Sequence, residues 1–329
     1  MNISYSRLPK NDLDEVHICV RCSDDYSVYA PVVFFSVLEN NPSAYIYFYV
    51  FTDEISSVRW NNILKVTGSF SNCEIHKIVP SDDDLNTLKD NSKFYHGWDF
   101  IHVSVFYEKY LPLVKYCFNF GLDSFCVGDL RKLLLLNIEK YHIIGTCTSS
   151  RHQSEKRCKQ SFSWLGFDAA LINFGALRSD GISSTTLIDA STEHVGYIHD
   201  EVAFNSVCKR LFLNERYHYI YTGSYRPKRV LDTQTVIVDF YSELKPWDIS
   251  VPGYEIFDSY IRYYDSVSRL INLEFSLPTS FFDAFLRLRR RGVRFVFSFP
   301  ILFRFSSKFV FRACLAPSYF KRFFWGAKL

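Results

Sequence analysis

Val16-His17-Ile18-Cys19-Val20-Arg21-Cys22 runs into Ser23-Asp24-Asp25-Tyr26, and Tyr45-Ile46-Tyr47-Phe48-Tyr49-Val50-Phe51 follows after an amphipathic stretch; these lines decide the fold. The first run reads as a strand. Residues 29–40 then read as a helix with Pro31 in its first turn, where the missing N–H is tolerated. The run 45–51 is nearly unbroken apolar and aromatic, as a strand covered on both faces should be. Working outward, the spacing predicts a helix over 54–66, a strand over 73–79, a helix over 103–111 and a strand over 116–122. A short helix over 129–136 and a strand over 141–147 continue the alternation. It resumes less cleanly with a strand-like run over 169–177, a helix over 201–213 and a strand over 235–241. The expected class is α/β, a mostly parallel central sheet with helices on both faces. Residues 149–160 are polar and basic and read as a loop or lid.

The composition is that of a globular chain. Hydrophobic residues make up 48% and charged residues 22%, with only 13 Gly and 11 Pro in 329 residues, which excludes collagen-like and disordered chains. The 32 Phe and 22 Tyr against one Met suggest apolar contact surface beyond an ordinary core. Charge is divided unevenly. Residues 281–329 hold 11 Lys or Arg and one acid, Asp283, so this tail carries +10 and leaves −7 on the rest of a chain whose net charge is +3. Rings beside cations suit an interfacial anchor on an anionic membrane surface. A nucleic-acid role is set aside, because the acidic body would repel a polyanion. The run 295–303 is interrupted by Pro300 and is too short to span a bilayer, and residues 1–15 have no apolar core of a secretory signal. The expected location is therefore cytoplasmic, peripheral on the inner face of the membrane. Nine scattered cysteines, with a single Cys19-x-x-Cys22 pair, read as reduced core residues rather than a disulfide framework or a zinc site.

In open α/β sheets, ligands bind in the crevice outside the carboxyl ends of the strands. Two such ends carry acids: Ser23-Asp24-Asp25-Tyr26 after the first strand and Gly121-Leu122-Asp123-Ser124 after the fourth. No Gly-x-Gly-x-x-Gly, Walker or Gly-x-Ser-x-Gly sequence occurs, which weakens dinucleotide, P-loop and hydrolase readings. His17, His76, His142 and His218 lie in apolar runs and read as satisfied core histidines.

Five segments carry a resemblance. They are 16–52; Tyr107-Glu108-Lys109, at a Tyr-x-Arg position; 122–130, at an Asp-x-Asp metal motif followed by Gly128-Asp129-Leu130; Asn173-Phe174-Gly175-Ala176-Leu177, at Asn-Ala-Gly-Val-Leu, with Asp200-Glu201 downstream; and Asp239-Phe240-Tyr241-Ser242-Glu243-Leu244-Lys245-Pro246-Trp247, at a His-Tyr motif ending in Lys-Pro-Trp. In this order they resemble glycosyltransferase family 8, the retaining sugar-nucleotide transferases that include enzymes of bacterial lipopolysaccharide assembly. The resemblance implies a GT-A type catalytic domain over 1–260, with 261–329 as a helical, basic and aromatic membrane-associating segment. It implies transfer of a hexose from a UDP-sugar donor to a glycolipid or oligosaccharide acceptor.

The same resemblance implies roles for single residues. Asp24, Tyr26, Lys109, Asn173, Gly175 and Lys245 would contact the nucleotide-sugar, and Asp200 and Glu201 would stand beside the transferred sugar as catalytic groups. Two departures stand out. Phe125 occupies the position of the second metal carboxylate, and Asp239 that of the family's histidine. Asp123 and Asp239 could jointly hold Mn²⁺ or Mg²⁺ as an all-oxygen site. Alternatively that site is lost, and Lys245, Lys109 and helix N-termini meet the diphosphate, or the chain binds nucleotide-sugar or glycan without turnover. Asp129 reads as a cap rather than a ligand.

Overall fold

β1 (Glu15–Arg21) lies in the middle of the sheet that organises the protein. The computed structural model describes residues 15–91, 99–147, 165–214, 216–221, 230–240, 245–249 and 254–278. β2 (Tyr45–Phe51), β3 (Cys73–Ile78), β4 (Tyr116–Phe120), β5 (Ser124–Cys126), β6 (Ile143–Thr146), β7 (Ala170–Asn173), β8 (Arg210–Leu213), β9 (His218–Ile220) and β10 (Ile237–Asp239) complete the strands. Seven of them form one sheet in the order β3-β2-β1-β4-β7-β6-β8, in which only β7 runs against the rest. The mostly parallel sheet expected from the alternation is thus present, with helices packed on it.

The register of β1 explains its centrality. Glu15 to Arg21 pair residue for residue with Tyr45 to Phe51, and Ile18 to Val20 pair with Phe118 to Phe120 on the other side. Val16, Ile18 and Val20 pack with Phe34 and Val37 of the helix Ala30–Asn40 and with Phe48 of β2, all fully buried. The Phe34 and Phe48 rings sit 4.4 Å apart; burying each ring contributes ~2 kcal/mol or more. On the opposite side, Cys19, Phe51, Tyr107 and Phe174 join a second cluster. Both faces are therefore covered.

A second, three-stranded sheet has the order β5-β10-β9. β5 runs antiparallel to β10 and places Ser124 opposite Asp239, with Phe125 opposite Val238. An aromatic core beneath it gathers Phe125, Tyr221, Phe240, Trp247, Phe257, Tyr260 and Tyr263. Part of the unusual aromatic content is used here. The helix Glu255–Leu270 supplies the last three of these rings and crosses residue 260, where a domain boundary was expected. Tyr263 ties it back to the first helix, its hydroxyl accepting from Asn40 Nδ2 at 2.8 Å.

Several local expectations are corrected. The predicted helix over 201–213 stops at Val207, because Cys208 turns extended (φ −87°, ψ 143°) and Arg210–Leu213 pairs with β6 as an edge strand. The run 169–177 is a strand only to Asn173, whose side chain then caps the helix Phe174–Ser179. The stretch 103–111 is largely a 3-10 turn, Asp99–Phe106, followed by the short helix Tyr107–Tyr110. Two helices escaped the sequence reading although their caps are plain: Asp82–Asp90, where Ser81 Oγ accepts from Asp84 N, and Ser184–Val195, which has a Ser183/Thr186 capping box and ends at Gly196 with φ 78°. The seven described cysteines are free thiols, five of them buried. No helix among the described residues is long and apolar enough to cross a membrane. The lid over 149–160 and the tail over 281–329 lie outside the described residues.

His142 is a satisfied core histidine, with Nε2 3.0 Å from Asp180 and Nδ1 accepting from Lys209 N. His218 is different: it is fully buried, and neither ring nitrogen has a hydrogen-bond partner among the described residues. Desolvation pushes it from 6.5 down to about 4. A folded-state value below the unfolded one means that stability is complete above pH ~6.5 and is lost as pH falls through about 4. Urea unfolding of the wild type is expected to lose ~3 kcal/mol more across that window than His218→Phe does; parallel pH profiles would refute this assignment.

Candidate active site

Arg21, the last residue of β1, reaches the carboxyl edge of the sheet and bridges two acids there. Its Nη1 donates to Asp200 and its Nη2 to Asp168. The side chain is only 16% exposed. Asp168 stands at the turn entering β7, and Ala169 beside it takes a left-handed conformation (φ 65°), a position that disfavours most side chains. Because β7 runs against the other strands, its beginning faces the crevice rather than its end.

Asp200 opens the helix Asp200–Val207 and is nearly saturated with partners. Besides Arg21 it accepts from Ser104 Oγ at 2.7 Å and Glu201 N at 2.8 Å, and it lies 3.2 Å from His102 Nδ1. Burial would raise its carboxyl, but Arg21, His102 and His199 together hold it well below the usual range. Asp200 is therefore ionised at any physiological pH. Asp168 goes the other way: burial, with the Asp123 and Asp200 charges, outweighs Arg21 and pushes it up to about 6.

The loop after β4 supplies the second part. Lys245 Nζ donates to Asp123 Oδ2 and, at 3.1 Å, to the carbonyl of Phe240. Burial would lower the Lys245 ammonium, but Asp123 more than offsets this and raises it. Ser124 Oγ donates to Asp239 Oδ1 at 3.0 Å, whereas Asp239 Oδ2 is buried with no partner among the described residues. Burial, added to the charges of Asp123 and Asp168, drives Asp239 well above the carboxylate range. Gly121 makes this crowding possible. A Cβ there would lie 2.5 Å from Asp123 Oδ1 and 3.2 Å from Asp168 Cγ, so a side chain at 121 would wedge into the two acids.

Aromatic rings form the third part. Tyr29 stacks on Trp247 with centroids 3.5 Å apart, and Tyr26, 37% exposed, meets the same tryptophan edge-on at 6.4 Å. The Lys-Pro-Trp segment thus packs against the turn after β1. Asp24 belongs to the frame of that turn: Oδ1 accepts from Ser56 N at 2.8 Å, and Oδ2 pairs with Arg59 at 2.9 Å. Arg59 also holds Glu274 at 2.9 Å.

The structure therefore brings Asp123, Asp239 and Lys245 together beside the Arg21–Asp168–Asp200 set, with Tyr26 packed on Trp247 next to Lys245. It places others elsewhere. Lys109 is half-exposed and pairs with Asp84 at 2.7 Å. Asn173 pairs across β4 with Tyr116, at the far end of β7, where its amide caps a helix and donates to Glu139 O; Gly175 packs on Lys115 nearby. Asp129 accepts from Arg131 N at 3.0 Å and pairs with the Arg131 guanidinium at 2.7 Å, one residue before Leu130, which holds the N-cap position of the helix Arg131–Leu134.

Arg21, Asp168, His102 and Ser104 were missed. A signal for Asp168 existed: Asp168-Ala169-Ala170-Leu171-Ile172 reproduces the sizes of Asn-Ala-Gly-Val-Leu five residues before Asn173.

The donor set suits a hard divalent cation. Among the described residues, Asp123, Asp168, Asp200 and Asp239 face Arg21 and Lys245, with His102 and His199 beside Asp200, and the Asp239 oxygen that has no partner among them is of the kind such ions take. Phe125 contributes nothing here, since its ring is buried 5.5 to 6.0 Å from Tyr260, Tyr263 and Phe240. A nitrogen-containing alternative lies alongside, where ligand atoms of His102, His199 and Asp200 fall within 4.8 Å of one another.

The sequence profile of glycosyl transferase family 8 matches residues 17–250. Among solved structures, the bifunctional glycosyltransferase WbbM aligns with a TM-score of 0.62 at 12% identity, covering 82% of this chain and 51% of that one. The chain thus spans about half of WbbM. The galactosyltransferase LgtC, solved with donor and acceptor sugar analogs, gives 0.59 at 15% identity, covering 78% and 97%. GlyE of Streptococcus pneumoniae TIGR4 gives 0.54 at 13%, covering 85% and 64%. At these identities the likeness establishes a GT-A-like fold. No curated protein matches the chain by sequence.

Removing Arg21 strands the buried Asp200 and the quarter-exposed Asp168, whereas removing the half-exposed Lys109 leaves Asp84 still bonded by the Tyr110 hydroxyl. Arg21→Ala is expected to cost ~3 to 5 kcal/mol in urea unfolding, and Lys109→Ala ~1 kcal/mol or less. Equal costs would contradict the central position given to Arg21.

Proposed function

Because the chain belongs to glycosyl transferase family 8 and is thereby a hexosyltransferase enzyme, we propose that it moves a hexose from a UDP-sugar to a cell-surface glycan acceptor, lipopolysaccharide or similar, with retention at the anomeric carbon. The observation that carries this reading is the convergence of Asp123, Asp239 and Lys245 with the Arg21–Asp168–Asp200 network at the carboxyl edge of one sheet. The capture of donor and acceptor sugar analogs by LgtC, a protein of the same fold, supports a nucleotide-sugar donor and a sugar acceptor here.

In this reading Tyr26 offers its exposed ring to the uracil, backed by the Tyr29–Trp247 stack. Lys245, on a flexible stem, exchanges Asp123 for diphosphate oxygens as negative charge builds on the leaving group. A divalent cation held by the carboxylates around Asp123 and Asp239 would add Lewis-acid stabilisation of that diphosphate. Asp200, kept ionised by Arg21, lies toward the transferred sugar and stabilises the positive charge that develops at its anomeric carbon. Arg21 acts through Asp200 as a positioning residue.

A binding-only role is favoured by one feature, the burial of Phe125 where a metal carboxylate was expected. The segment 281–329, with its 11 cations, is proposed to hold the enzyme on an anionic membrane from the cytoplasmic side. The catalytic domain is taken to include residues up to 260.

Calorimetry with UDP, followed by turnover of a UDP-hexose panel, tests the reading. The wild type is expected to bind UDP and hydrolyse one donor slowly. Asp200→Asn should keep UDP affinity within about twofold and lower kcat ~10²- to 10³-fold, while Tyr26→Ala should weaken UDP ~5- to 100-fold. Absence of UDP binding by the wild type would end the proposal; binding without turnover of any donor selects the binding-only role. Flotation with vesicles containing anionic lipid is expected for the full chain and to be lost on truncation before Phe281.

A further inference from the structure

We propose that a hollow beside β8 holds the acyl chain of an anionic membrane lipid, apart from the crevice at the carboxyl edge and apart from the basic tail. β8 is the last strand of the large sheet among the described residues, and its pairing with β6 sets Leu211 opposite Ile144 and Leu213 opposite Thr146. Alternation along the strand puts Leu211 and Leu213 on one face. There they pack with Leu136, Tyr141 and Tyr217 against the core that contains Val16 and Phe48, yet all five stay only partly buried. Between them lies a cavity of about 360 Å³. Sites for small apolar ligands run from roughly 300 to 1,000 Å³. Phe212, 41% exposed, also lines the hollow, and Leu135, 68% exposed, directly precedes Leu136. Contiguous apolar surface of this kind marks an interaction site.

The rim decides what class of molecule fits. Lys140 lines the hollow, and among the described residues no acid does. Its Nζ lies 5.3 Å from the centroid of the Tyr141 ring, and the Arg216 guanidinium lies 5.0 Å from that of Tyr217. Both residues are exposed, and among the described residues neither side chain pairs with a carboxylate. Cations held over rings at the mouth of an aliphatic hollow suit a molecule whose apolar chain ends in a negative group. The side-chain amides of Asn137 and Asn214, on the same lining, are donors for the phosphate and glycerol oxygens of such a head group. The chain supplies the attraction and the cations set its direction.

The same charges disfavour other occupants. A second copy paired edge to edge through β8 would gather Lys140 and Arg216 with their own counterparts, where the described lining offers no acid to offset them. A nucleic acid would meet leucine where it needs donors and stacking faces.

Photolabelling of the full-length protein tests the site directly, with an oleoyl lysophosphatidylglycerol that carries a diazirine in its chain, used below its micelle concentration. Mass spectrometry of the peptides tells lipid held here from lipid held by residues 281–329. Label is expected on residues 135–141 and 211–217. Leu213→Asp should lower it about tenfold, and Lys140→Glu, or an uncharged monoacylglycerol with the same chain, about fivefold. Leu113→Asp, at a position 96% exposed and outside the lining, should leave it unchanged. Label confined to residues 281–329, label at the hollow indifferent to both lining variants, or equal labelling by the uncharged analogue would each overturn the proposal. Should Leu213→Asp fail to fold, the exposed change Lys140→Glu decides alone, and undiminished label in that variant refutes the site.

Discussion

A guanidinium withdrawn from water must be answered by carboxylates, and in this protein Arg21 is answered by two that arrive from distant parts of the chain. Asp168 comes from the turn before the reversed strand β7, and Asp200 from the start of a helix. Breaking such a set by removing one member leaves an uncompensated buried charge, so the three residues fix one another's positions. The ends of β1 and β7 and the helix Asp200–Val207 are thereby locked into one geometry. His102 and Ser104 extend the lock to the 3-10 turn Asp99–Phe106. The chemistry proposed for Asp200 depends on this, because a carboxylate pushed upward by burial stays ionised only beside such a partner.

The fold was largely legible because its signal is local. The alternation over 16–51 specifies two parallel strands and their crossover, and the structure has both within a residue or two of the expected bounds. Boundaries failed where tertiary pairing overrode periodicity. Arg210–Leu213 carries a pattern a helix could use, yet β6 recruits it as an edge strand. The site was legible only in part. Asp123, Asp239 and Lys245 sit in motifs whose order survives in the sequence. Asp168 and Arg21 do not announce themselves, because nothing local distinguishes a buried charge partner from a surface acid or a strand-end arginine. Asn173 misled for a related reason: it has the right residue type, but the antiparallel course of β7 carries it to the wrong end of the sheet.

Part of the aromatic surplus, within the described residues, has a structural account as well. Tilted and edge-on rings around Phe125, Phe240, Tyr260 and Tyr263 form an aromatic core with the small sheet. That core takes up position 125, where a carboxylate would have no polar partner among the rings. Packing and chemistry are coupled at a single residue.

Arg59 grips Asp24 with one amine and Glu274 with another, joining residues that the ribosome makes 250 positions apart. The crevice itself is assembled from side chains spread between 21 and 247. Long-range closures of this kind are slow steps, since chain entropy is lost before the contact forms. A nascent polypeptide would therefore own its central sheet, complete at Leu213, before it owned Lys245, Trp247 and the helix Glu255–Leu270 that packs beneath them.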